Sequence, residues 1–326
     1  MNQPARHSCV GFWRVLLGWV FLAVCLAGTA ATANIFSTQF EAGEGYDITA
    51  DLIGQNGWLG EGSGGNGLVT NFIAGEGQQA FVGFSPPDQG DSELVVWKPI
   101  NFNPVAAKHP IVTFSVLMSI TGWITTTNQW DNFRWSIYNR QTNRLFSLDF
   151  DNYSTEITYL LDGTNDFVST GYYFDNDATY TLRVTMNFAT NRWSATLDGT
   201  VLVTNKPITT TGAPLNLGDV DAFWLIYDVN NPSDSYMLFD NCKITAKTLP
   251  PPPRPNLHWL GQTGDGQALW RLTGQSGTRF VIDATTNLAN WTALKTNVIT
   301  DGYFDYVDAG AAGLSRRFYR ARWVPW

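Results

Sequence analysis

The sequence predicts an all-β chain, an antiparallel β-sandwich of jelly-roll type followed by a small second β domain. Three observations lead there. Aromatic residues make up 14% of the 326 positions and charged residues only 15%, a mix that suits half-buried pleated strands. Tyr180, Leu182, Val184, Met186 and Phe188 alternate with Thr181, Arg183, Thr185 and Asn187, the period of two expected when one face of a strand is buried. Asp198-Gly199 then supplies the positive φ of a two-residue hairpin between strands at 193–197 and 200–204. No stretch sustains a helical period beyond one or two turns.

Taken in order, residues 1–33 read as a secretory leader. Arg6 and Arg14 accompany an apolar run over 15–27, and Ala31-Thr32-Ala33 has the small-x-small form that places cleavage after Ala33. The run is too short for a stable membrane span. A lipid anchor on Cys25 is the competing reading, to which Val24 is a poor fit. The glycine-rich stretch 54–67 is expected to be a surface loop. It lacks both a GK[ST] sequence and a following helix, so it is not a phosphate cradle. Alternating runs at 111–120, 133–138, 144–151, 157–161, 222–228 and 236–246 add further strands, with Asn, Asp and Gly between them. Pro250 to Pro253 and Pro255 make 250–255 a stiff, donor-poor linker. It separates a jelly-roll domain over 34–249 from a small β domain over 256–326. In the latter, runs at 268–273, 278–284, 303–307 and 316–322 predict a second sandwich, cored by Trp270, Phe280, Ile282, Trp291 and Phe318.

Composition narrows the function. Without the leader the chain carries 18 basic and 28 acidic side chains, net −10, which argues against nucleic acid or an anionic membrane as partner. The charge is uneven: 34–255 holds 11 basic and 23 acidic residues, net −12, and 256–326 holds 7 and 5, net +2. Beyond the leader Cys242 is the single cysteine, so no intramolecular disulfide forms and the residue reads as a small buried apolar side chain. One cysteine and two histidines in different domains, His109 and His258, argue against a zinc site, and nothing resembling a nucleophile elbow is present to support a Ser-His-Asp set. Trp193 and Trp224 lie inside alternating runs and are expected in the core.

The segments FEAGEGYDITADLIGQNGW (40–58), YTLRVTMNFATNRWSATLDGTVLV (180–203) and AFWLIYDVNNPSDSYMLFDNCKIT (222–245) resemble the opening, middle hairpins and closing strand of concanavalin A-like (LamG-like) jelly-roll domains of secreted bacterial proteins. The resemblance covers nearly all of 34–249 and implies two antiparallel sheets in a curved sandwich. Lectins, carbohydrate-binding modules, glycosidases, lyases and spacer domains all use that fold, so it does not choose among them. The C-terminal part resembles a short β module recurrent at the ends of large secreted bacterial proteins. Its marks are Phe280-Val281-Ile282-Asp283-Ala284, Leu288-Ala289-Asn290-Trp291 and Arg317-Phe318-Tyr319-Arg320. That likeness suggests attachment or sorting at the cell surface.

Glycosidases of this resemblance carry Glu-x-Asp-x-x-Glu on one strand, a pattern missing here. Asp149 and Asp151 alternate and could share a face, as could Asp175 with Asp177 and Asp219 with Asp221; turn and strand-end roles compete with catalysis for each pair. The preferred reading is a secreted, non-catalytic protein that binds an extracellular polysaccharide or glycoconjugate. Aromatic faces stack on sugar C–H faces while polar side chains bond the hydroxyls. Trp123 and Trp130 sit where the sequence turns polar, a setting that competes with burial in the core. With Asn128, Asp131, Arg134 and Tyr153 they form the candidate binding set. A hydrolase or lyase with an unusual site around Asp149 and Asp151, and a purely structural or adhesive surface protein, are the alternatives. The fold often holds structural calcium, and Glu41 on the first strand could meet Asp240 on the last to bind Ca2+.

Overall fold

The computed structural model describes residues 32–88, 90–122, 129–250 and 252–324. The leader up to residue 31, Trp123 and Asn128 lie outside the described residues. The first strands are β1 (Thr32–Thr38), β2 (Leu59–Glu61), β3 (Asn66–Thr70), β4 (Gln78–Gly83) and β5 (Glu93–Trp97). There follow β6 (Ile111–Ile120), β7 (Asn132–Tyr138), β8 (Arg144–Phe150), β9 (Glu156–Leu161) and β10 (Val168–Tyr173). The sandwich closes with β11 (Thr179–Asn187), β12 (Arg192–Leu197), β13 (Thr200–Lys206), β14 (Asp219–Leu225) and β15 (Tyr236–Lys247). Helical structure among the described residues is limited to single 3-10 turns, so the chain is all-β.

One sheet has the order β13-β12-β11-β6-β15-β4-β3, with β1 also on β15; the other runs β10-β9-β8-β7-β14-β5-β2. Every pairing is antiparallel. Strand β15 changes partner along its length. Tyr236 to Phe239 pair with β4, and Cys242 to Lys247 pair with β1. Between them lies a bulge, where Asn241 takes a φ of 51°.

Aromatic side chains join the two sheets. Trp193 on β12 stacks on Phe146 on β8, ring centroids 3.9 Å apart and planes 11° from parallel. Trp135 on β7 meets Phe114 on β6 and Phe239 on β15 at 5.2 and 5.4 Å. Trp193, Trp224 and Cys242 are buried, as the alternation requires. A second tie is polar. The buried Asp162 carboxylate, just after β9, accepts hydrogen bonds from the Thr209, Thr210 and Thr211 hydroxyls and from the Thr210 and Thr211 amides. It fastens the connection that leaves one sheet at β13 and enters the other at β14.

The stretch 54–67 departs from the expected loop, because β2 and the start of β3 lie in it. Its glycines allow close approach of neighbouring strands. A Cβ on Gly65 would come within 2.0 Å of the Gly83 carbonyl oxygen, and one on Gly60 within 2.8 Å of that of Val95. Strand β14 also starts earlier than expected and ends at Leu225, leaving 226–228 as loop.

The C-terminal region contains β16 (Asn256–Gln262), β17 (Ala268–Thr273), β18 (Arg279–Thr285), β19 (Thr292–Val298), β20 (Tyr303–Asp308) and β21 (Phe318–Trp323). These form two three-stranded sheets, β16-β17-β20 and β19-β18-β21, around Leu272, Phe280, Ile282 and Ile299. Phe280 and Ile282 are core as expected, while Phe318 is exposed and Trp291 only half-buried. On β21 it is Tyr319, Ala321 and Trp323 that pack inward, the opposite phase of the alternation from the one assumed. Trp291 instead lies beneath the Arg320 guanidinium at 4.3 Å, and Trp270 is half-buried between Trp259 and Tyr319.

Replacing Trp193 by alanine removes the central ring stack and leaves a cavity, a change that costs about 3–5 kcal/mol in cores of this kind. Thermal unfolding followed by near-UV circular dichroism is expected to show a fall in Tm of about 10 °C for this variant.

Candidate binding site at the rim of the sandwich

Strands β14, β7 and β8 are neighbours in one sheet, with Phe133 paired to both Phe150 and Trp224. Antiparallel pairing therefore brings together the start of β7 and the ends of β8 and β14. Gln129, Trp130 and Asn132 come from the first, Asp151 and Tyr153 from the second, and Tyr227 from the third. Together they line an open cleft of about 280 Å³. Tyr153 is 78% exposed and Tyr227 84%, values far above those of aromatic residues that serve the core. Trp130 is half-buried beside them.

The loops are held by carboxylates. Asp151 Oδ1 accepts the amides of Tyr153 and Ser154 at 3.0 and 3.3 Å, and its Oδ2 accepts the Ser154 hydroxyl at 2.7 Å. Asn132 Oδ1 accepts the Asn152 amide at 3.2 Å. Asp131 is fully buried. Its Oδ2 accepts the indole N–H of Trp224 at 3.0 Å and the Ser233 amide at 2.9 Å, and its Oδ1 accepts the Tyr227 amide at 2.9 Å. Burial raises the Asp131 carboxyl above its ordinary range, against the lowering effect of those three donors.

The structure thus unites two members of the sequence-derived set, Trp130 and Tyr153. Asp131 adjoins the cleft but faces inward, because three loop and core donors need its oxygens. Arg134 points elsewhere. Its guanidinium bonds Asp149 at 2.8 Å and lies over the Phe167 ring at 5.3 Å. There it lines a second groove, of about 390 Å³, with Ser136, Tyr138, Arg144 and Phe223 on the outer face of the β7-containing sheet. Gln129, Asn132 and Tyr227 were missed. Tyr227 follows an alternating apolar run that read as continuous strand, and only the end of β14 at Leu225 releases it to the rim.

Asp149 and Asp151 do not form a facing pair. Asp149 is buried, its carboxyl raised by burial and countered by Arg134, whereas Asp151 sits past the strand end in its turn. Asp219 and Asp221 do share the outer face of β14. Burial raises both, and the proximity of Asp219 raises Asp221 further.

Glu41 and Asp240 approach one another, but Glu41 follows β1 and begins a 3-10 turn instead of lying on the strand. The calcium expectation requires converging oxygens. Glu41 Oε1 instead accepts the Gln78 amide, Glu44 Oε2 accepts the Thr38 hydroxyl and the Gln39 amide, and Glu76 Oε2 accepts the Asn241 side chain. Among the described residues no three His, Cys, Asp or Glu side chains are grouped to hold a metal ion. The buried Asp240 Oδ2 is left without a hydrogen-bond partner. Burial, together with the charges of Glu76, Glu41 and Glu44 and against the Asn241 amide, raises Asp240 to about 7.

No family model and no curated protein matches the chain. Solved structures with a similar β-sandwich include a sialidase, with TM-score 0.41 and 9% identity, covering 58% of this chain and 17% of that one. A CBM2 module of the evolved Dit of Lactobacillus casei BL23 phage J-1 has TM-score 0.45 and 11% identity, covering 68% and 98%. The winged bean acidic lectin complexed with methyl-α-D-galactose has TM-score 0.45 and 10% identity, covering 67% and 99%. At such scores and identities these likenesses carry nothing about ligand or activity. Among the described residues, no helix is long and apolar enough to cross a membrane.

Two outcomes follow from the carboxylates. Asp131→Ala leaves three donors without their acceptor, two of them on the Tyr227 loop, at a cost of about 3 kcal/mol or more; chemical denaturation should show a lower midpoint with unchanged slope. Asp240, near 7 in the folded chain and at its ordinary 3.8 when unfolded, contributes stability that is complete below pH 3.8 and lost as pH rises to 7. The Asp219–Asp221 pair acts in the same direction. Asp162 acts oppositely. Burial alone would raise it, but the threonine hydrogen bonds outweigh that and bring it down to about 2, so its contribution disappears only below pH 3.8. The Tm is expected to be highest near pH 4–5 and lower at pH 8, with Asp240→Asn flattening the decline.

Proposed function

We propose that the protein is an exported, non-catalytic glycan-binding protein whose rim cleft holds a sugar between Trp130, Tyr153 and Tyr227. The observation that carries this reading is the exposure of Tyr153 and Tyr227 at a shared cleft with Trp130, Gln129 and Asn132. Large aromatic side chains presented to water beside amide groups suit a ligand with alternating apolar and hydroxyl faces. Gln129 and Asn132 provide amide donors for the hydroxyls. Trp123 and Asn128, which precede Gln129 in the sequence, stay in the proposed contact set.

The leader-like sequence over 1–33 supports export to an extracellular or cell-surface location. The proline-rich 250–255 supports a division into a binding domain over 34–249 and a small β domain over 256–326, for which attachment at the surface is the proposed role.

Binding of wild-type protein to a panel of soluble and insoluble polysaccharides tests the reading. A positive glycan is expected, with Trp130→Ala, Tyr153→Ala and Tyr227→Ala each weakening it about tenfold at unchanged Tm. A wild type that retains no glycan, or three variants that all bind normally, removes the proposal.

A further inference from the structure

We propose that the rim cleft selects glycans bearing protonated amines, that is, amino sugars with free ammonium groups. This rests on the glycan-binding reading above and adds the chemical class of the sugar. The cleft is lined by three aromatic residues, one carboxylate and two primary amides, without a basic side chain. The cation–π contacts among the described residues all lie elsewhere, on Phe167, Tyr159, Tyr303, Tyr319 and Trp291. Among the described residues, therefore, no cation lies over the faces of Trp130, Tyr153 and Tyr227.

Acidic charge surrounds those rings. Asp151 lies in the lining itself, and Asp228, one residue beyond Tyr227, is close enough to disfavour ionisation of Asp131. Asp151 accepts three hydrogen bonds from its own turn, leaving about one of a carboxylate's four lone-pair sites for an incoming donor. An ammonium group brings three donors and no acceptor. It satisfies that site, is attracted to the face of an aromatic ring, and meets a favourable field from residues 34–255, whose net charge is −12. An N-acetylated sugar keeps the stacking but loses the charge terms. A uronic acid or sulfated sugar meets repulsion from Asp151 with no arginine or lysine in the lining to offset it. The arginine-bearing groove on the sheet's outer face is a separate surface, where Arg134 is already paired with Asp149.

Calorimetric titration at pH 6 and low salt with a chitosan tetramer, its fully N-acetylated counterpart, cellotetraose and a polygalacturonate oligomer tests this. Gln129→Lys is the diagnostic variant, since it places a cation in the cleft without removing any turn hydrogen bond. Expected results are a preference of about tenfold or more for the free amine over the acetylated tetramer, shrinking in 0.5 M salt. In Gln129→Lys that preference disappears, because affinity for the free amine falls further than affinity for the acetylated tetramer, while the Tm stays near wild type. Binding of neutral or acetylated oligomers that depends on Tyr153 and Tyr227 but shows no amine preference overturns this inference alone. An amine preference that survives Gln129→Lys overturns it as well, by placing the cation site elsewhere. If no oligosaccharide binds, the glycan reading and this inference fall together.

Discussion

The buried carboxylate of Asp131 is the constraint on which the rim depends. It stands at the start of β7 next to Trp130, and its two oxygens reach three donors on a different segment of chain: the Trp224 indole at the end of β14 and the amides of Tyr227 and Ser233 in the loop beyond. Without those bonds two loop amides and an indole N–H would be buried unpaired, a cost large beside the net stability of any domain. The carboxylate thereby fixes where Tyr227 stands relative to Trp130. It shapes the rim cleft without being part of its lining.

The sandwich repeats this arrangement. Asp162 collects five threonine donors to fasten the sheet-to-sheet connection, and Asp151 folds the turn that presents Tyr153. Aspartate at strand ends is an expected turn former, and here each one arranges a loop whose position the sheets alone would leave open. Aromatic contacts such as Trp193 on Phe146 set the sheet separation, and the carboxylates set the loops. Where donors are scarce the outcome differs. Asp240, at the bulge where β15 changes partner, and the Asp219–Asp221 pair are raised instead of lowered, because burial disfavours their ionisation.

Much of the fold was legible in particular residues. The alternation over 180–188 and the Asp198-Gly199 turn give β11, β12 and β13 to within a residue or two at their ends, and Trp193 and Trp224 are core because they share the phase of their apolar neighbours. The failures are equally specific. The glycines of 54–67 looked like loop because a missing side chain carries no periodic signal, although they are there to let strands approach. In β21 the wrong phase was chosen, since Phe318, Tyr319 and Trp323 are all aromatic and apolarity alone does not say which face they share. Of the candidate site, Trp130 and Tyr153 were found from aromatic residues in polar surroundings, whereas Asp131 and Arg134 carried the same polar signature for a structural reason.

By itself the sequence determined the all-β character, the strands of the central hairpins and the acidic charge of the larger region, because these follow from residue type and local period. Only the tertiary structure decided which aromatics meet at one rim. Tyr227 joins Trp130 and Tyr153 because β14, β7 and β8 are neighbours in the sheet and Asp131 draws their ends together. That adjacency comes from long-range strand order, which no window of neighbouring residues encodes.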